Sequence, residues 1–138
     1  MGKKQSVRHE RTRRDHSMET AEDYVEAVAE VIEESGCCRV IDLARRFAVS
    51  HVTVSKTVTR LKTAGYLTSQ PYGPIELTRH GKRLATESKR RHQIVLEFLL
   101  AVGIRPAVAE VDAEGMEHHV SQETLKQFKK FTDSKRKE

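Results

Sequence analysis

The sequence predicts a mainly α-helical protein in two parts, with one small β-hairpin between them. Three observations support this class. Apolar residues recur at helical spacing in six segments of the 138-residue chain. Gly36, Gly65 and Gly103 fall where such segments end. Only residues 66–78 show two short apolar runs around a Pro-Tyr-Gly-Pro turn, which is typical of a hairpin.

The first part contains three helical segments. Apolar residues keep one face from residue 20 to 35, and Gly36 ends that helix. A short helix is expected over residues 40–47. After a break at 48–50, a third helix begins with Ser50 as its N-cap and ends near Gly65.

The hairpin follows directly, with strands predicted over 66–69 and 75–78. Helix, helix, turn, helix and hairpin in that order is the winged helix-turn-helix arrangement. Because its third helix can enter the major groove, the order predicts a DNA-binding domain over residues 19–88.

The second part is predicted to be all-helical. One long helix runs over residues 78–102 and changes from basic to apolar, and two more are expected over 105–120 and 121–131. These predict a helical domain over 89–138 that ends in a basic tail. Residues 1–18 are basic and nearly free of apolar side chains, so a disordered arm is expected there.

Charge is segregated along the chain. The net charge is +4 over residues 1–18, −7 over 19–38, +9 over 39–94, −5 over 95–125 and +4 over 126–138. The basic central block favours a polyanionic partner such as DNA, although solvated helix faces also carry charge runs. The two acidic blocks would repel each other unless they are kept apart or joined by cations.

Composition excludes other classes. No apolar run approaches the roughly 18 residues of a transmembrane helix, and the N-terminus lacks the apolar stretch of a secretory signal. A cytoplasmic protein without a membrane partner is therefore expected. Cys37 and Cys38 are adjacent and are expected to be reduced.

The third helix carries the predicted DNA-binding residues. If Val54, Val58 and Leu61 face the core, small hydroxyl side chains and bases are left on the outer surfaces. Such groups suit base edges and phosphates in the major groove. The predicted set is His51, Val52, Thr53, Ser55, Lys56, Thr59, Arg60 and Lys62.

Three separate segments supply candidate metal ligands. These are four carboxylates and two imidazoles, spaced i, i+3 or i+4 where they share a helix: Asp23, Glu26, His92, Glu114, Glu117 and His118. This oxygen-rich set favours Mn(II) or Fe(II), and since carboxylates can bridge, it could hold two ions. His119 points about 100° away from His118 and is not expected to be a ligand.

Each fragment alone also has an ordinary explanation, since exposed acids and single histidines are common without a metal. Clustered carboxylates and histidines also build two-metal hydrolases. Against an enzyme, the chain shows no nucleophile elbow and no phosphate-binding loop.

Four strings together resemble the manganese transport regulators, a branch of the diphtheria-toxin-repressor (iron-dependent regulator) family. They lie at residues 21–26, 52–58, 91–93 and 112–121, and the resemblance covers about residues 18–132. It implies a homodimer with a helical dimerisation domain and assigns all six candidate ligands to the metal site. The resemblance also implies that the iron-responsive branch has Met and Cys at the positions that match Asp23 and Glu114. The two carboxylates here therefore point to manganese.

The resemblance therefore implies a Mn(II)-responsive repressor that binds palindromic operator DNA and controls manganese uptake genes. Two alternatives stay open at this point: an Fe(II)-responsive repressor of the same family, and a winged-helix regulator that ignores metals.

Overall fold

The structure, a computed structural model, describes residues 2–138, and within them all side chains except those at positions 5, 11, 12 and 14–16. The mainly helical class is confirmed. Its elements in chain order are α1 (Gly2–Ser35), α2 (Val40–Phe47), α3 (His51–Thr63), β1 (Leu67–Thr68), β2 (Glu76–Leu77), α4 (Arg79–Ala101), α5 (Pro106–Met116) and α6 (Gln122–Arg136).

The chain divides into two compact units. Residues 16–86 form the N-terminal unit. Residues 87–138, together with the stretch before His16, form the C-terminal unit. None of the helices described is long and apolar enough to cross a membrane.

The core of the N-terminal unit is built from the apolar faces that the periodicity predicts. Val25 and Val28 of α1, Leu43 of α2 and Val54 of α3 are all fully buried. Burial of side chains of this size stabilises a fold by about 1.5–3 kcal/mol each, which fixes the three helices around one centre.

A tight turn joins α2 to α3. Ala48 adopts a left-handed conformation with φ of 54°, and the N–H of Val49 donates to the Ala44 carbonyl over 3.1 Å. Ser50 then caps α3, because its hydroxyl accepts a hydrogen bond from the N–H of Thr53 at 3.1 Å. The predicted N-cap and break are therefore confirmed.

The wing is a two-stranded antiparallel sheet in which Leu67 pairs with Leu77. The N–H of Ile75 also donates to the Cys38 carbonyl at 2.7 Å, which ties the wing to the segment after α1. At the start of α4, a Cβ on Gly81 would lie 2.0 Å from the Tyr66 carbonyl oxygen, so only glycine fits this approach.

The core of the C-terminal unit lies among α4, α5 and α6. Val95 of α4, Ala113 of α5 and Leu125 of α6 are almost completely buried. Phe98 of α4 stacks on Phe128 of α6 with 3.9 Å between ring centroids. The small alanines allow α5 to approach closely, which positions its C-terminal end beside α4.

The prediction of a disordered arm over residues 1–18 is wrong for its described part, because α1 is helical from Gly2. Met1 lies outside the described residues. The stretch contains Lys, Arg, Glu and Gln and no proline, and these residues have good helix propensity. Extending an existing helix also avoids the unfavourable nucleation step, so apolar side chains are not needed.

Candidate functional site

The third helix, α3, presents its predicted DNA-binding residues to solvent. All eight are exposed: His51, Val52, Thr53, Ser55, Lys56, Thr59, Arg60 and Lys62. The opposite face of α3 buries Val54, Val58 and Leu61, as the spacing predicts. Thr57 is also buried, with its hydroxyl donating to the Thr53 carbonyl at 3.1 Å.

Two of the exposed polar residues make contacts that limit their roles. The ammonium group of Lys62 donates to the Ser69 hydroxyl at 3.0 Å and thereby links α3 to the wing. The Thr59 hydroxyl donates to the Ser55 carbonyl at 2.9 Å, so its oxygen is left to accept. Because Lys62 is hydrogen-bonded to the wing, Lys56 and Arg60 are the stronger predictions for DNA contact among the basic residues of this helix.

A cluster of predicted metal ligands lies where α4 packs against α5 in the C-terminal unit. His92 of α4 has its Nδ1 atom 2.5 Å from Oε2 of Glu117 and 3.7 Å from Oε1 of Glu114. One donor atom from each of these three residues lies within 4.8 Å of the others. Three of the six predicted ligands are therefore brought together as the sequence predicts.

Glu117 is the least ordinary member of this cluster, since its side chain is only 1% exposed. Burial raises the pKa of its carboxyl to about 7, with His92 opposing the shift and Glu114 adding to it. Its Oε1 atom is buried and receives no hydrogen bond from any described residue. An ionised carboxylate in that position lacks part of the compensation that burial requires.

His118 follows Glu117 directly and is also buried. Its Nε2 atom lies 3.4 Å from Oε1 of Glu117, too far for a good hydrogen bond. His119 is exposed, and that it is not a ligand stays a prediction.

Asp23 and Glu26 lie on α1 in the N-terminal unit, where both are partly buried. Their i, i+3 spacing on a continuous helix puts the two carboxylates on one face. That they share an ion with the C-terminal cluster remains a prediction.

Sequence reasoning missed one carboxylate in this neighbourhood. Oε2 of Glu110 lies 3.6 Å from Nε2 of His92. A signal was present, because Glu110 precedes Glu114 by four residues on α5 and the two share a helix face.

The donor chemistry of the cluster fits a hard divalent cation. Carboxylate oxygens and imidazole nitrogen suit Mn(II) or Fe(II), whereas thiolate-preferring ions would want cysteine. A cation here would satisfy the orphaned Oε1 of Glu117 and favour the ionised form of that carboxyl. The residues present therefore fit a metal site.

Two family descriptions match the chain in succession. Residues 16–75 match the iron dependent repressor, N-terminal DNA binding domain. Residues 78–137 match the iron dependent repressor, metal binding and dimerisation domain.

Known relatives agree with these matches. The chain is 49% identical over 117 residues to the transcriptional regulator MntR of Escherichia coli O6:H1, covering 85% of this chain and 76% of the relative. It is 37% identical over 100 residues to the HTH-type transcriptional regulator MntR of Bacillus subtilis strain 168, covering 72% of this chain and 70% of that relative.

Solved structures share the fold. One described as a manganese-dependent transcriptional repressor in complex with manganese superposes with a TM-score of 0.71 and 28% identity over 82% of this chain. The match covers 52% of that structure, so this chain spans about half its length.

Proposed function

Because this chain belongs to the iron-dependent repressor family of metal-responsive transcriptional regulators, we propose that it is a Mn(II)-responsive repressor that binds palindromic operator DNA as a homodimer and represses manganese uptake genes. It has the family's DNA-binding domain and its metal-binding and dimerisation domain, and it is a regulator and not an enzyme. Its place of action would be the cytoplasm, where the operator is.

The observation that carries the proposal is the cluster of His92, Glu114 and Glu117. Its buried carboxylate oxygen has no hydrogen-bond donor among the described residues, and its donor atoms suit a hard cation. We extend the ligand set to His118, whose ring is buried beside Glu117, and to the carboxylate pair Asp23 and Glu26 of α1.

Manganese is the proposed ion for two reasons. The relatives that this chain matches in both domains include one named MntR at 49% identity, and a solved neighbour is described as manganese-dependent. The two positions that the iron-responsive branch is expected to fill with Met and Cys are carboxylates here, Asp23 and Glu114. Since carboxylates can bridge, we propose room for two ions per subunit.

Control by the ion would follow from charge. Residues 19–38 carry −7 and residues 95–125 carry −5, so the two acidic segments would repel each other wherever they approached without a metal. Bound cations would remove that repulsion and fix the two recognition helices of the dimer at the spacing of the operator half-sites. The coupling must be reciprocal, so operator DNA should tighten metal binding.

Fluorescence anisotropy with a labelled candidate promoter at one salt concentration tests the proposal. Mn(II), Fe(II), Zn(II) and Ca(II) are titrated separately after the protein is treated with EDTA. We expect Mn(II) to raise operator affinity by about 5- to 150-fold, the range of a 1–3 kcal/mol coupling. Operator binding that ignores both EDTA and Mn(II) would favour a metal-independent regulator, and activation by Fe(II) at lower concentration would favour the iron-responsive alternative.

Substitutions at the metal centre provide the residue-level test. Glu117→Ala and His118→Ala should each abolish the Mn(II)-stimulated part of operator binding, because each removes a ligand. His119→Ala is the matched control, since it removes the exposed neighbouring imidazole and should leave the response intact. A normal response from either of the first two variants would show that the site assignment is wrong.

A further inference from the structure

The imidazole ring of His92 has carboxylates at both of its nitrogen atoms. On one side, Nδ1 lies 2.5 Å from Glu117 and 3.7 Å from Glu114. On the other side, Nε2 lies 3.6 Å from Oε2 of Glu110. The two sides differ in burial, since the Glu117 side chain is 1% exposed and the Glu110 side chain is 59% exposed.

A histidine can bind a metal through only one of these nitrogens at a time. Neutral imidazole has one lone pair available for coordination and one N–H, and the group bonded to the N–H decides which nitrogen has the proton. Metal-binding histidines almost always donate the second ring N–H to a carboxylate, a carbonyl or water, which fixes the ring and raises its basicity as a ligand.

The positions of the carboxylates determine which nitrogen of His92 faces the ion. Nδ1 lies within 2.5 Å of Glu117 and 3.7 Å of Glu114, so we take Nδ1 as the coordinating atom of the proposed site. The proton must then be on Nε2, which points away from those donors and toward Glu110.

We propose that Glu110 is a positioning residue of the metal centre, which accepts the Nε2–H of His92 and so presents Nδ1 to the ion. This inference rests on the proposed function, because it requires His92 to be a metal ligand. The present 3.6 Å separation is about 0.5 Å longer than a good N–H···O hydrogen bond, and rotation of the exposed Glu110 side chain can close it.

Helix geometry explains why Glu110 can act here without being a ligand itself. It precedes Glu114 by four residues, so both side chains lie on the face of α5 that is turned toward His92. Glu114 reaches Nδ1, whereas Glu110, one turn earlier, reaches Nε2 on the opposite side of the ring. A carboxylate on that side cannot share an ion with Nδ1, but it can hold the ring.

The expected loss of Mn(II) affinity when Glu110 is replaced depends on how exposed its side chain is. Loss of an outer-shell partner typically weakens metal binding by about 10- to 100-fold. Water can partly replace the exposed Glu110, so we expect Glu110→Ala to raise the Kd for Mn(II) by about tenfold, the lower end of that range. Glu110→Gln keeps an oxygen acceptor and should recover part of the affinity.

The test uses the whole 138-residue chain. Mn(II) binding is followed at pH 7.5 by the electron paramagnetic resonance signal of the unbound ion in wild type, Glu110→Ala and Glu110→Gln. Asp112→Ala is the matched control, because it removes an exposed carboxylate from the same helix. Thermal melting followed by circular dichroism checks that all variants are folded.

A second measurement shows directly which nitrogen of the His92 ring binds the metal and which carries the proton. Long-range nitrogen–proton NMR of histidine-labelled protein loaded with Cd(II), a diamagnetic substitute, distinguishes the two ring nitrogens of His92. We expect Nδ1 to carry the metal and Nε2 the proton in wild type, with faster exchange of that proton with water in Glu110→Ala.

The outcomes separate the two proposals. If wild type shows no saturable Mn(II) binding, the proposed function fails and this inference fails with it. If wild type binds Mn(II) but Glu110→Ala binds no more weakly than Asp112→Ala, or if Nε2 carries the metal, the function stands and the role of Glu110 is overturned.

Discussion

Glu117 combines two properties that oppose each other in a folded protein, burial and an ionisable carboxyl group. Its side chain is 1% exposed, and burial raises its pKa to about 7. A carboxyl whose pKa is higher in the folded state than in the unfolded state binds its proton more tightly when folded. In the metal-free protein the protonated Glu117 carboxyl is therefore compatible with folding at acid pH, and its ionisation at higher pH destabilises the folded state.

The upward direction of the Glu117 pKa shift determines how the stability of the protein depends on pH. Between pH 4.5 and about 7, the contribution of Glu117 to the free energy of unfolding should fall as pH rises, because the folded state must give up a proton that the unfolded state has already lost. Urea unfolding of metal-free wild type and Glu117→Gln at pH 5 and pH 8 measures this. The variant should gain stability relative to wild type at pH 8, and an equal difference at both pH values would contradict the shift.

Lys56 allows a second prediction at the residue scale. It is exposed on the first half of α3, and Lys62 on the same helix is held by Ser69 of the wing. Lys56→Ala should weaken operator binding at saturating Mn(II) by about 1–3 kcal/mol, without changing Mn(II) affinity in the absence of DNA. Anisotropy and Mn(II) titrations measure the two quantities.

The control for Lys56 is Lys126→Ala, which removes the same charge from an exposed position on α6. A general electrostatic effect would weaken both variants alike. Unchanged operator affinity in Lys56→Ala would remove this side chain from the DNA-binding surface.

Among the structural elements, helix boundaries show what local sequence determines. Ser50 and Gly65 are the sequence signals that begin and end α3, and the structure has the helix between them. At these points one side chain or one φ angle decides the boundary, so the sequence is sufficient. The helix predicted over residues 105–120 ends in the structure at Met116. The prediction runs four residues too far because no comparable cap or stop residue marks that end in the sequence.

Residues 2–18 show where a compositional argument fails. Low apolar content predicts disorder for an isolated segment, yet this segment continues α1. In the proposed metal centre, spacing identified residues that lie close together in the chain, such as Glu114 of α5 and Glu117 at its C-cap. The orientation of His92 and the proximity of Glu110 depend on how α4 packs against α5, which no spacing rule gives.

A pair of glycines tests the packing of the elements. A Cβ at Gly81 would meet the Tyr66 carbonyl oxygen at 2.0 Å, whereas a Cβ at Gly115 of α5 would have nothing within 4 Å. Gly81→Ala should therefore destabilise the protein by about 1–3 kcal/mol. Gly115→Ala, in the last turn of α5, should stabilise it by up to about 1 kcal/mol.

Urea unfolding of both glycine variants measures these differences, with wild type as the common reference. If Gly81→Ala were as stable as wild type, the wing could not approach the start of α4 as closely as the structure has it. Operator affinity of Gly81→Ala should also fall, since Lys62 on the predicted DNA-binding surface is hydrogen-bonded to Ser69 of the wing.

Across the whole molecule, the arrangement of charge connects the two functions. The basic block of +9 includes α3 and the wing, where a polyanion is expected, and the acidic blocks on either side contain five of the six proposed ligands. His92 is the exception and lies in the basic block. If the proposed assignments are correct, DNA binding and metal binding use segments of opposite charge. A cation that joined the acidic segments would then change operator affinity through metal binding.

The most direct test of this account is a crystal structure of the protein with Mn(II), in which anomalous scattering locates the ion. We predict manganese bound by Glu114, Glu117, His118 and Nδ1 of His92, with the carboxylates of Asp23 and Glu26 also among the ligands. An ion bound at His92, Glu114 and Glu117 with the carboxylates of Asp23 and Glu26 both more than about 10 Å away, well beyond any coordination distance, would contradict this account.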